Sequence, residues 1–296
     1  MTLTVSGSRI TDVGGLPVHR ALHQRGRRTV GAWCFLDRFG PADVTPQQTM
    51  KVGPHPHIGL HTVTWLLSGQ VLHSDSLGNE QPIRPGQLNL MTAGQGIAHA
   101  EDGRGQPPGP MDGVQLWVAQ PEATRRDPPS FAHHADLPVV DLGPARATVL
   151  LGAVGGALSP ARTDSPLVGA DIAGSGRVDL PLEASFEHAV AVLHGGARLG
   201  DSVAGPNQLM YISAGRDGVD LNLMEGSRVL LLGGRPFTEE ILMWWNFVAR
   251  DRSEMEQAYA EWGRQPRASA PSPRPWTALR RPDPSGCRER RWTGTS

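Results

Sequence analysis

Cysteine is almost missing: 2 in 296 residues, Cys34 inside an apolar run and Cys287 in the tail. That scarcity excludes a disulfide framework and makes a reducing compartment the simpler setting. No stretch approaches the ~18 apolar residues of a membrane span. The opening MTLTVSGSRITDVGG has neither a charged n-region nor an apolar h-region. A cytoplasmic protein without a membrane partner is expected. A long basic block is absent from the folded part and the formal net charge is −1, so the chain carries no electrostatic footprint for nucleic acid. A macromolecular partner would have to be protein.

Glycine and proline are abundant instead. With 36 Gly and 26 Pro they exceed a fifth of the chain, while the apolar fraction of 39% is ordinary. This is the composition of a turn-rich, all-β protein. Short apolar segments between Gly and Pro punctuation (TVTWLL, GQVLHSD, PGQLNLM) read as antiparallel strands joined by turns. The run WCFL is too continuous for a one-sided strand and reads as a buried one. Asp37 follows it, placed either to cap a turn or to brace a ligand histidine. Trp117, in VQLWVAQP, is expected in the core, with a place on a pocket wall as the alternative.

The window from His55 to Glu101 holds the chemistry. It opens with His55-Pro56-His57, closes with His99-Ala100-Glu101, and contains five of the chain's 11 histidines. Residues two apart on a strand share a face, so each pair presents both side chains to one side. Brought together inside a small barrel, His55, His57, His99 and Glu101 would hold one divalent metal ion. A set of nitrogen and oxygen donors with no thiolate suits Fe(II), the first choice, or Ni, Cu, Mn or Zn, better than Ca or Mg. His61 and His73 lack a histidine two residues away and are expected behind the ligands or at the surface. His133-His134 are adjacent, diverge on an extended chain, and are not expected to be ligands.

The second half repeats the first. TVTWLLSGQVLHSD resembles HAVAVLHGGARLGD, and QLNLMTAGQGIAHAE resembles QLMYISAGRDGVDLNL, so that Gln87 matches Gln208 and Ala93-Gly94 matches Ala214-Gly215. The alignment puts Leu221 and Leu223 in place of His99 and Glu101, and Leu182 and Ala184 opposite His55 and His57. Every proposed ligand is thus replaced by an apolar residue. The spacing predicts a metal-binding barrel over 1–133, a linker over 134–146, and a metal-free barrel over 147–263. A helix over 253–262 closes the second barrel, capped by Ser253 with Glu256 and stopped by Gly263. Residues 264–296, rich in Pro, Arg and Ser, read as a disordered tail.

HPHIGLHTVTWLLSG, MTAGQGIAHAE, QLWVAQP and GGRPFTEEILMWWNFVARDRSEMEQA together resemble the pirin family, from about residue 5 to residue 263. The resemblance implies two tandem cupin (jelly-roll-like) β-barrels, the first holding non-haem iron through the two histidines of HPH and the His and Glu of HAE. Those are His55, His57, His99 and Glu101 here. Family members are associated with quercetinase activity, and the animal member is an iron-dependent coregulator of transcription. Many pirins read HPHRGFET or HPHRGIET; Ile58, Leu60 and His61 depart from that pattern and put His61 in reach of the metal. The reading that follows is a dioxygenase acting on a flavonol such as quercetin, with Glu101 as base, and the chain is expected to be a monomer. The alternative is a redox-sensing regulatory module that binds a protein partner without turnover.

Overall fold

The computed structural model describes residues 3–24, 26–45, 48–103 and 107–264. The expected disordered tail lies outside these residues. Strands dominate, and they form two β-barrels from the two halves of the chain. In the first, a seven-stranded sheet runs in the order Ser130–His134, Leu88–Thr92, Leu60–Ser68, Gly109–Ala119, Trp33–Val44, Leu16–Leu22, Arg9–Val13. It faces a four-stranded sheet ordered Lys51–His57, Ile97–Asp102, Val71–Asp75, Glu80–Ile83. The second half forms a nine-stranded sheet whose long strands Leu167–Pro181 and Gly218–Gly234 bend through both walls of the barrel. Among the described residues, no helix is long and apolar enough to cross a membrane.

The two ends of the chain cross over. Leu3–Gly7, expected with the first barrel, pairs antiparallel with Gln208–Ile212 of the second sheet. The hairpin of Leu242–Trp244 and Phe247–Ala249 returns to the first barrel, where Val248 N donates to Ile58 O at 3.2 Å. Gly59 permits this close approach: its φ is +69°, and a Cβ there would collide with the Val248 carbonyl. The segment expected to be linker is partly ordered into sheet, since Val139–Asp141 pairs with Ala145–Leu151; Ser130–His134, just before it, pairs with Leu88–Thr92.

Strand registers correct the internal alignment. In the first barrel His99 faces His55 and Ile97 faces His57. In the second, Leu221 faces Val178 and Val219 faces Leu180. Val178 and Leu180, rather than Leu182 and Ala184, therefore occupy the places of His55 and His57. The connection that follows is longer in the second copy, which shifted the sequence alignment. The matched glutamines are turn formers: Gln87 Oε1 accepts from Arg84 N, and Gln208 Oε1 accepts from Gly205 N.

An apolar layer joins the barrels back to back, with Trp33, Trp65, Leu90 and Leu116 from one and Leu151, Leu193, Leu209 and Leu230 from the other. Tryptophans buried here need partners for their N–H groups. Trp33 Nε1 reaches Val168 O at 3.0 Å, and Trp65 Nε1 reaches Asp171 Oδ2 at 2.8 Å. Asp171 also accepts from Arg228 Nε at 2.9 Å. His61, expected near the metal, belongs to this boundary instead: its Nε2 lies 3.1 Å from Asp164 Oδ2 and its Nδ1 2.9 Å from Thr92 Oγ1. Burial works against the Asp164 charge, but His61, Arg162 and Thr124 outweigh it and hold that carboxyl well below its ordinary range.

The helix runs Arg252–Arg264, and its cap is Asp251 rather than Ser253. Asp251 Oδ1 accepts from Glu254 N at 2.9 Å, and Glu254 Oε2 accepts from Arg250 N at 3.0 Å. Met255 is buried, and Tyr259 meets Trp244 and Trp245 edge-on. Removing the carboxylate shared by Trp65 and Arg228 leaves two donors without their acceptor. Asp171→Ala is expected to cost about 3 kcal/mol, and Trp65→Phe, which keeps the ion pair, about 1 kcal/mol. Urea denaturation of both variants checks the ranking, and equal losses would show that the carboxylate is not the shared anchor.

Candidate metal centre

Two strands of the four-stranded sheet supply the centre. Lys51–His57 carries His55 and His57, and its neighbour Ile97–Asp102 carries His99 and Glu101. Between the His99–His55 and Glu101–Val52 pairs the register shifts, because Gly53 and Pro54 bulge opposite Ala100 alone. The bulge turns the Gly53 carbonyl toward His55, whose Nδ1 lies 2.8 Å from it.

His55, His57 and His99 converge: one ring nitrogen from each lies within 4.8 Å of the others, and all three side chains are buried. His57 Nε2 and His99 Nε2 are 3.1 Å apart. His57 Nδ1 is 2.9 Å from the Asn246 carbonyl. A carbonyl can only accept, so the ring proton of His55 and that of His57 sit on Nδ1, and each Nε2 points inward as a bare lone pair. Burial, the largest influence, pushes His55 down to about 4 and His57 and His99 well below their ordinary value. The rings are neutral, as metal ligands must be. This three-histidine group could bind a metal ion; the donors are borderline nitrogens suited to first-row transition metals. It is the only such group among the described residues.

Glu101 lines the same cavity but is outside that group. Its Oε1 accepts from Thr64 Oγ1 at 3.3 Å. Burial raises its carboxyl, opposed by His73 and Thr64. The cavity measures about 130 Å³. One wall is a Phe35–Trp117 stack with centroids 4.1 Å apart, so Trp117 is buried and lines the pocket as well. Asp37 neither caps a turn nor braces a ligand: it forms a two-point pair with Arg20, each contact 2.7 Å, and Arg20 lies over Phe35.

Two contributors escaped the sequence reading. Trp245 and Asn246, at the tip of the returning hairpin, line the cavity nearly two hundred residues after His57. Trp245 holds φ +53°, a conformation unfavourable for a bulky side chain, at the cavity mouth. The second is Asp75, two residues after His73 on Val71–Asp75. His73 Nδ1 is 3.4 Å from His99 Nδ1, and His73 Nε2 is 3.2 Å from Asp75 Oδ2. The His-x-Asp spacing placed both on one strand face and was the available signal. His133 binds Asn89, outside the centre.

In the metal-free protein the pH response follows from buried neutral imidazoles. His55 and, in the second barrel, His188 are both pushed down to about 4 by burial from the ordinary 6.5. The unfolded chain takes up protons below 6.5 that the folded chain refuses. Stability is therefore complete above that pH and is lost toward pH 4, by up to about 1.4 kcal/mol per pH unit for each histidine. Urea midpoints of chelator-treated protein across this window check the sign. His188→Leu should flatten the slope, and a midpoint that rises on acidification contradicts the account.

Two family models match the chain: one described as Pirin over residues 15–118, the other as Pirin C-terminal cupin domain over residues 167–267. A Pseudomonas aeruginosa protein provisionally named a quercetin 2,3-dioxygenase is 47% identical over 277 residues, covering 89% of this chain and 87% of its own. A pirin-like protein of Caulobacter vibrioides is 37% identical over 265 residues, covering 87% and 92%. The crystal structure of a quercetin 2,3-dioxygenase from Acinetobacter baumannii superposes with a TM-score of 0.90 at 37% identity, covering 95% of both chains.

Proposed function

The chain belongs to the pirin family, and from that premise we propose that it is a metal-dependent dioxygenase that opens the heterocycle of a flavonol such as quercetin, with Fe(II) as its metal. The observation that carries the reading is the pair of Nε2 atoms, His57 and His99, only 3.1 Å apart in a cavity of about 130 Å³. The names of the Pseudomonas and Acinetobacter relatives support the substrate class.

His55, His57 and His99 would hold the ion, with Glu101 as a fourth donor able to move toward it. The bound metal supplies a Lewis-acidic centre for an enolate and a route for electrons to dioxygen. Everything else falls to the chain. Glu101 takes the proton of the substrate's enol hydroxyl, a role suited to a carboxyl raised by burial and held at Oε1 by Thr64. Phe35 and Trp117 form a rigid apolar wall that orients a flat ring and excludes water. Trp245 and Asn246 narrow the mouth, and the Asn246 carbonyl fixes the His57 ring.

Protein loaded with Fe(II) and given quercetin in air is expected to bleach the flavonol absorbance, consume dioxygen and release carbon monoxide. Bound metal without turnover, whichever of Fe, Ni, Cu or Mn is loaded, would overturn the enzymatic reading in favour of a metal-dependent binding module. His55→Ala and His99→Ala should abolish metal content by mass spectrometry. His194→Ala should leave it unchanged, because His194 pairs with Asp112 at the barrel boundary. Glu101→Gln should keep its metal while kcat falls roughly 10²- to 10⁴-fold; full activity removes Glu101 as the base.

A further inference from the structure

Behind His99 lies a second layer of buried polar groups that metal binding by three imidazoles does not require. His73 and Asp75 are 3% and 0% exposed, on the strand hydrogen-bonded to the one that carries His99 and Glu101. Asp75 is the fixed end. Its Oδ1 accepts from Leu77 N at 2.9 Å and Asn79 N at 3.1 Å, and Asn79 Nδ2 reaches both oxygens. His73 is clamped from the other side by Phe131, stacked at 4.4 Å and 15°.

Hydrogen-bond direction then follows by elimination. An ionised carboxylate only accepts, so a neutral His73 carries its proton on Nε2 and offers Nδ1 as a lone pair. That lone pair faces His99 Nδ1 at 3.4 Å, so the His99 proton sits on Nδ1. His99 Nε2 is left bare toward His57 and His55. Two imidazoles and a carboxylate thus form a directed chain, Asp75 to His73 to His99, that ends at the cavity.

We propose that His73 and Asp75 are positioning residues that fix the Nδ1–H tautomer of His99 and raise the basicity of its Nε2 toward the cation. The proposal rests on the reading of His55, His57 and His99 as ligands. The second barrel provides the internal comparison. There Leu221 stands for His99, and Leu199 and Ala197, all buried, stand for Asp75 and His73. Where the ligands are replaced by aliphatic side chains, so are both members of the chain behind them. A structural role in barrel closure would have been needed equally in both copies.

The test uses Co(II) titration and proton NMR of the full-length Co(II)-loaded protein. Wild type should bind Co(II) and show three solvent-exchangeable, paramagnetically shifted ring N–H signals, one per ligand imidazole. His73→Phe keeps a ring on Phe131 but removes the acceptor. It should lose or broaden the His99 N–H signal and weaken Co(II) binding roughly ten- to a hundredfold, while circular dichroism stays that of wild type. Asp75→Asn keeps an oxygen for the turn at Leu77 and should weaken binding by a smaller factor, with all three signals retained and the His99 signal displaced. Unchanged affinity together with three undisturbed N–H signals in His73→Phe overturns the proposal. If His73→Phe does not fold, unchanged affinity and spectrum in Asp75→Asn overturn it alone. Failure of wild type to bind Co(II) at all would instead remove the ligand assignment, and this inference with it.

Discussion

The centre depends on where three imidazole protons point. Each Nδ1–H is directed away from the cavity: from His55 to the Gly53 carbonyl, from His57 to the Asn246 carbonyl, and from His99 to His73. The inward Nε2 atoms are then acceptors facing acceptors. With no donor among them, two nitrogens 3.1 Å apart repel rather than bond. A cation held there would turn that repulsion into coordination by three imidazoles. Burial reinforces the arrangement, since it keeps the rings from answering the conflict by taking up protons.

The two barrels show what this arrangement costs. In the second, a single apolar cluster fills the interior, with Val178, Leu180, Leu221 and Leu223 at its centre. In the first, two separate clusters remain, one around Val18, Phe39 and Val52 and the other around Phe35, Leu60 and Trp117. The polar groups of the centre lie between them. A buried polar group without a partner costs about 1–3 kcal/mol, and the first barrel pairs several of them with neighbours: Thr64 with Glu101, Asn79 with Asp75, Asp37 with Arg20. The second barrel, free of that demand, offers the apolar back against which the first is packed.

Period-two pairing made the convergence of His55, His57 and His99 legible in the sequence, because strand geometry fixes which neighbours share a face, and it put Glu101 on the wall of the same cavity. Internal repetition made the paired barrels legible for a similar reason, down to the turn glutamines Gln87 and Gln208. Insertions and long-range contacts were not legible. Trp65 comes eight positions after His57, but its counterpart Ala191 comes eleven after Leu180, and an alignment anchored further on slid past the correct pair. His61 looked like a neighbour of the metal only from its place in the family pattern. Only the packing of the barrels shows that its strand turns it toward Asp164. Nothing local announces that the Asn246 carbonyl holds His57, since that contact exists only once both halves have folded.

That last contact explains why a barrel without ligands stays part of the centre. The polypeptide leaves the second barrel at Gly234 and crosses back as the hairpin that brings Trp245 and Asn246 to the mouth of the first. Docking needs the bare Cα of Gly59, directly after the His55-Pro56-His57-Ile58 segment, so the residues that bind and the residues that receive the hairpin are continuous in sequence. At the other end, Leu3–Gly7 is built into the second sheet beside Gln208–Ile212. Each barrel holds a terminal piece of the other's half. Neither can open without disturbing its partner, and the His57 ring keeps its orientation only while the hairpin stays docked. The second barrel therefore shapes the candidate centre from outside it, by holding in place the carbonyl that decides which nitrogen of His57 faces inward.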